Sequence, residues 1–249
     1  MLNNQTIEKL KTMHLSKLAE AFADQIITPS FEALSFEERM GLIVDAEWIH
    51  RQNNYLQRLL KSAQLFHGDA CIEDIIYKAD RNLEPAILAK LDSGNYIAEA
   101  LNVILTGKSG SGKSWIACAL GNSACRKRYS TRYIKTALLL EELKAARDQG
   151  KYRVALKRFQ AFDLLILDEW GTSIFDMQQS QDILEIMEGR YHKASTVFAS
   201  QVPTDKWYEL FTDATLADAI IDRFIYDSYF IEIKGKISMR EHMSRLKSK

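Results

Sequence analysis

Cysteine is scarce in this chain, with three in 249 residues. An odd count without metal-ligand spacing excludes a disulfide framework and a cysteine-based zinc site. Cys118 and Cys125 lie seven apart and read as small apolar residues on one helix face. Net charge is missing too: 33 Lys and Arg balance 33 Asp and Glu. That balance alone argues neither for nor against a nucleic-acid partner. No segment approaches the ~18 apolar residues of a membrane-spanning helix. The opening Met1-Leu-Asn-Asn-Gln-Thr6 lacks the basic and apolar regions of a signal peptide. A reduced, cytoplasmic protein with no membrane partner is therefore expected. Internal repeats and low-complexity tracts are absent as well.

What is present is ordinary globular composition, 47% hydrophobic and 27% charged. It suits one α/β domain plus a small appendage. The charge is unevenly spread. From Arg126 to Arg158 there are eleven Lys and Arg against three acids, and from Lys234 onward six against one. A local basic patch binds phosphate backbones even in a neutral protein, although a solvated helical face would look the same. Arg126, Arg128, Arg132, Lys151, Arg153 and Lys157 are the candidate DNA contacts.

The most specific motif is Gly107-Lys108-Ser109-Gly110-Ser111-Gly112-Lys113-Ser114. The pattern Gly-x-x-x-x-Gly-Lys-Ser cradles phosphates with inward-turned backbone N–H groups. Lys113 adds a cation, and the Ser114 hydroxyl is a ligand for Mg²⁺. Leu101–Leu105 before it reads as a buried strand, and Trp115–Leu120 after it continues at helical period. Strand, glycine-rich loop and helix are the context the motif requires. Leu164-Leu-Ile-Leu167 reads as a strand buried on both faces, followed by Asp168-Glu169. Carboxylates at the carboxyl end of such a strand sit where ligands bind in open α/β sheets. Asp168 is expected to hold Mg²⁺, and Glu169 to orient and deprotonate water for ATP hydrolysis. Ser200, ending the apolar run Thr196–Ala199, is placed to sense a γ-phosphate or position the water; simple strand termination is the competing reading. Arg223 and Arg240 are candidates to complete a phosphoryl-transfer site, and such an arginine can act in trans. By spacing alone each is more often a surface arginine.

Residues 1–66 read as an all-helical domain. One helix covers Thr6–Ala23, Thr28-Pro29-Ser30 breaks it, and a second starts at the capping box Ser35-Phe-Glu-Glu38 and runs to about Phe66. Two such helices must bury their apolar faces on the main domain, on each other or on a partner. Residues 67–249 form the second domain, beginning with a connecting segment of short helices in which Tyr77 and Tyr96 are candidates for base stacking or for core packing. Beyond it strands and helices alternate: strand to Leu105, helix to Arg128, strand Thr131–Lys135, helices Ala137–Arg147 and Lys151–Phe159, strand Leu164–Leu167, helix Gln178–Tyr191, strand Thr196–Ala199. Helices Trp207–Leu210 and Ala214–Arg223, a strand Tyr229–Ile233 and a C-terminal helix follow. That order argues a parallel sheet flanked by helices.

With these residues in view, the chain resembles the IstB-type helper ATPases of bacterial insertion sequences, relatives of the helicase loader DnaC. The resemblance runs through Leu34-Ser-Phe-Glu-Glu-Arg39, Ile72–Leu105, Gly107–Ser114 and Leu164-Leu-Ile-Leu-Asp-Glu-Trp-Gly171. It continues in Ala199-Ser-Gln-Val-Pro203 with Trp207, Ala219-Ile-Ile-Asp-Arg-Phe224 and Ile233-Lys-Gly-Lys-Ile-Ser-Met-Arg240. It implies an AAA+ P-loop NTPase using ATP and Mg²⁺, with sites between subunits. Arg223 matches the arginine finger, Ser200 the first sensor and Arg240 the second. It also implies ATP-dependent homo-oligomers on double-stranded DNA that bend it and present it to a transposase. Asp168-Glu169 stands where many relatives have two aspartates, Ser114 replaces a common threonine, and the stretch around Arg240 is looser than the family pattern. The alternative is a DnaC-like helicase loader acting on single strands, from which Leu-Ser-Phe-Glu-Glu-Arg points away. A small-molecule P-loop kinase would need an acceptor lid where this chain has a basic helical segment.

Overall fold

The computed structural model describes residues 2–77, 79–235 and 239. The chain divides into two compact units, Met1–Arg58 and Leu59–Lys249.

The first unit is helical: α1 (Leu2–Thr12), α2 (Ser16–Ile27) and the start of α3 (Phe36–Ala63). The single helix expected over Thr6–Ala23 is broken at His14, whose φ is +60°. The cause is distant in sequence. Glu47, on α3, accepts hydrogen bonds from the backbone N–H groups of Lys17 (3.0 Å) and Leu18 (3.1 Å). Its carboxylate thereby satisfies donors that a new helix start exposes. The Arg51 guanidinium, bonded to the same carboxylate at 2.7 Å, holds Glu47 below the usual carboxylate range. The capping box at the α3 start is formed: Glu38 N–H donates to Ser35 Oγ (3.2 Å) and Ser35 N–H to Glu38 Oε2 (2.8 Å). Phe36, Leu42, Trp48 and Ile49 remain exposed on α3.

The second unit begins with short elements, including 3-10 turns at Ile72–Asp74 and Ala79–Arg81 and the helices α4 (Pro85–Asp92) and α5 (Asn95–Ala98). A five-stranded sheet follows. Its strands are β1 (Asn102–Gly107), β2 (Thr131–Lys135), β3 (Leu164–Trp170), β4 (Ser195–Ser200) and β5 (Ser228–Ile233). They run parallel in the order β2-β3-β4-β1-β5. The connections contain α6 (Lys113–Arg126), α7 (Thr136–Asp148), α8 (Tyr152–Gln160), α9 (Met177–Arg190) and α10 (Ala214–Ile225). Trp207–Leu210, expected as a helix, lies in a 3-10 turn, Thr204–Leu210. The C-terminal helix expected after β5 lies outside the described residues.

Strand residues alternate between two cores, as the two-residue period of a strand demands. Val103, Leu105, Ile166 and Val197 pack with α6 and the segment before β1, whereas Ile104, Leu165, Leu167 and Phe198 pack with α7 to α10. Covering helices on both faces explain why the strands read as unbroken apolar runs. Cys118 and Cys125 are buried free thiols, and burial pushes Cys118 up to about 11.

Candidate nucleotide site and its surroundings

All five strands point the same way, so their carboxyl ends form one edge. Gly107 pairs with Ile233, Thr106 with Ser200, and Lys135 with Asp168 along that edge. The phosphate loop leaves it at Gly107 and enters α6 at Lys113. Gly107 has φ +150°, and a Cβ there would lie 2.4 Å from the Ile233 carbonyl oxygen, so no other residue fits. Gly112 takes φ +96° just ahead of α6. The Lys113 ammonium turns into the loop and donates to the carbonyls of Gly107 (2.7 Å) and Lys108 (2.9 Å). Ser111 Oγ is buried in the loop with no hydrogen-bond partner among the described residues. A cation, an unsatisfied hydroxyl and a helix N-terminus converging on glycines suit a polyphosphate.

Asp168 is 4% exposed. Its Oδ2 accepts from the Tyr133 hydroxyl (2.6 Å), and its Oδ1 from the Glu169 N–H (2.8 Å). Burial, and then the hydrogen bond to Asp168, raise Tyr133 far above the ordinary tyrosine range, so it stays a donor. Each carboxylate oxygen keeps lone pairs for a hard cation, and with Ser114 this all-oxygen set fits Mg²⁺. Glu169 sits in a register shift between β3 and β4 and has φ +55°. Such irregularity re-aims side chains at sites. The Glu169 carboxylate is exposed and accepts from Lys135 Nζ at 2.6 Å.

The other expected site residues divide. Ser200 reaches the carboxyl edge, but its hydroxyl donates to the Trp170 carbonyl (2.7 Å) and accepts from the Val202 N–H (3.0 Å). In this structure it terminates the strand. Arg223 is on α10, and its Nη2 donates to Glu188 Oε1 (2.9 Å). It lines a small depression with Asn102 and Thr196, which begin β1 and β4. It therefore lies at the amino edge of the sheet, a strand length of roughly 17–20 Å from its own loop. Phe224 beside it stacks on Phe198, ring centroids 4.6 Å apart, which anchors α10. Arg240 lies outside the described residues. Tyr96 is a buried core residue, and Tyr77 is partly exposed.

Among the basic candidates, Lys151, Arg153 and Lys157 are exposed on or beside α8, with Arg153 and Lys157 four residues apart on one face. Arg126 is exposed and donates to Cys71 Sγ (3.3 Å), and Arg128 follows the end of α6 with φ +75°. Arg132 is mostly buried and faces Glu142 at 3.8 Å.

Three residues near the loop carried no sequence signal: Arg81, Tyr133 and Lys135. Only the strand register Lys135–Asp168 and the looping of the segment before β1 bring them to the site.

The family described as IstB-like ATP binding protein matches residues 8–247. The chain belongs to that family. A protein of Sinorhizobium fredii named as an insertion-sequence ATP-binding protein, y4pL, is 39% identical over 245 residues, covering 98% of this chain and 99% of its own. AMPPCP-bound DnaA from Aquifex aeolicus superposes with a TM-score of 0.55 at 17% identity, covering 69% of this chain and 52% of DnaA. The DnaC helicase loader gives 0.53 at 19% identity, covering 67% and 97%. At these identities the two structures establish the fold: an AAA+ P-loop NTPase. The IstB-like family assigns ATP binding to the chain.

Proposed function

We propose that this protein is an Mg²⁺-dependent ATP hydrolase that assembles into homo-oligomers on double-stranded DNA and assists a transposase. The observation that carries the reading is the position of Arg223. It lies at the opposite edge of the sheet from its own phosphate loop, a position that suits action on a neighbouring subunit's nucleotide. Subunits stacked edge to edge would then complete each other's sites.

The chemistry follows from the carboxyl edge. The loop N–H groups, Lys113 and Ser114 hold the phosphates. Asp168, kept in place by Tyr133, and Ser114 would hold Mg²⁺, which when bound would supply charge neutralisation for phosphoryl transfer. Glu169 orients the attacking water and takes its proton once it leaves Lys135. That exposed ion pair is weak, so the rearrangement costs little. Arg223 from the neighbour stabilises the transition state. Lys151, Arg153 and Lys157 supply sequence-independent phosphate contacts to duplex DNA. The exposed apolar residues of the first unit supply a surface for assembly or for the transposase.

Mixing two inactive variants tests this. Arg223→Ala and Lys113→Ala proteins should each hydrolyse ATP on duplex DNA about a thousandfold more slowly, and regain activity when mixed, because hybrid interfaces pair an intact loop with an intact arginine. Absence of recovery, with both variants assembling, would refute the shared site. Assembly on single strands in place of duplex would favour a helicase loader.

A further inference from the structure

Arg81, in the 3-10 turn before β1, is 6% exposed. Its Nη2 donates to the Ser111 carbonyl inside the phosphate loop and its Nη1 to the Ile76 carbonyl, both at 2.7 Å. The approach is close enough that a Cβ on Gly112 would lie 2.9 Å from Nη2. The Arg81 carbonyl accepts from the Lys234 N–H at 3.0 Å, which ties the turn to the end of β5. A guanidinium is thus pressed onto the loop from outside the motif.

Arg81 forms no ion pair among the described residues. Burial lowers its pKa, and the exposed Asp80 offsets that only in part. Among the described residues two of its five N–H donors are engaged, each by a neutral carbonyl. Arg190 makes the contrast. It is more deeply buried, at the opposite edge, and donates to the carbonyls of Phe159, Gln160, Phe162 and Ser195 and to Thr196 Oγ1. All three nitrogens of Arg190 are engaged away from the loop, whereas Arg81 keeps donors and charge beside a loop built to receive an anion. With two neutral acceptors where Arg190 has five, Arg81 is the less satisfied cation, and a polyphosphate is the counter-charge that relieves it.

We propose that Arg81 is a nucleotide-binding residue, the charge partner of the polyphosphate held by Gly107–Ser114. The proposal rests on that loop being the nucleotide site, so the experiment separates the two. Fluorescent MANT-ADP is titrated into the full chain, then displaced with AMP, ADP and inorganic pyrophosphate. Wild type, Arg81→Met, Arg81→Lys and Lys113→Ala are compared, with thermal melts of the unliganded proteins as the folding control. Losing a charge-assisted hydrogen bond should weaken ADP and pyrophosphate roughly ten- to a hundredfold in Arg81→Met. AMP should lose less, and Arg81→Lys should recover most of the affinity. Wild-type affinity in Arg81→Met would overturn the proposal. So would an equal loss for all three ligands in both Arg81 variants with lowered melting temperature, which describes a loop brace. Failure of wild type to bind MANT-ADP, or unchanged binding by Lys113→Ala, would instead overturn the loop assignment and the proposal with it.

Discussion

Tyr133→Phe removes one oxygen atom and tests how the buried carboxylate of the site is held. The hydroxyl donates to Asp168 Oδ2 at 2.6 Å, and among the described residues the other donor to that carboxylate is the Glu169 N–H at 2.8 Å. With Asp168 only 4% exposed, water cannot readily replace the lost donor. A hydrogen bond to a charged group is worth about 1.5–3 kcal/mol. For a chain of this size each kcal/mol moves the melting temperature by about 2–4 °C, so a fall of about 3–12 °C is expected without ligand. The deficit should shrink when Mg²⁺ and a non-hydrolysable ATP analogue are added, because Oδ2 is then free for the metal. Thermal melts followed by circular dichroism, with and without Mg²⁺-nucleotide, measure both numbers. A variant within about 0.5 kcal/mol of wild type in the unliganded protein would refute the reasoning, since ordinary surface substitutions do no more. An equal deficit in both conditions would remove Tyr133 from any link with the metal.

Tyr96 is 2% exposed and its hydroxyl has no partner among the described residues, so Tyr96→Phe should stabilise the fold by about 1 kcal/mol in a urea titration. Burial holds Tyr96 and Tyr133 above the ordinary value of 10.0, so above that pH the unfolded chain has lost protons the fold retains. Stability therefore falls as pH rises past about 10, and Tyr96→Phe should flatten that limb. Gly107→Ala forces a Cβ to within 2.4 Å of the Ile233 carbonyl, and nucleotide affinity measured by titration should fall at least about tenfold. Replacing Arg153 and Lys157 together by Ala should lower the slope of log K for duplex DNA against log salt by about 2, at roughly 0.9 per lost phosphate contact. Arg132→Ala should leave that slope unchanged, because the mostly buried Arg132 side chain already faces Glu142.

Local chemistry was readable from the chain, and chemistry assembled by register was not. Strand β2 begins and ends where the apolar alternation places it, at Thr131 and Lys135. The phosphate loop and Asp168-Glu169 are contiguous, and their flanking strands carry unmistakable apolar runs. Where a partner lies far along the chain, the residues alone do not show it. Glu47 caps α2 from some thirty residues away and splits a helix whose own residues show no stop. Ser200 has the residue type and position of a phosphate sensor, but its hydroxyl is taken by a β3 carbonyl that only the sheet brings near. Tyr133 and Lys135 look like ordinary strand residues until pairing with β3 sets them against Asp168 and Glu169.

Arg223 shows most directly why topology decides function here. Its sequence neighbours say that it is the half-buried residue beside a buried phenylalanine and nothing about its distance from the loop. The strand order and the anchoring of Phe224 on Phe198 carry it to the amino edge, while β1 carries Gly107 to the carboxyl edge. If Arg223 completes a neighbour's site, as proposed, one subunit holds two halves that it cannot bring together, and turnover depending on both would rise with the fraction of protein assembled; the specific ATPase rate followed against protein concentration checks this, and a rate independent of concentration would refute it.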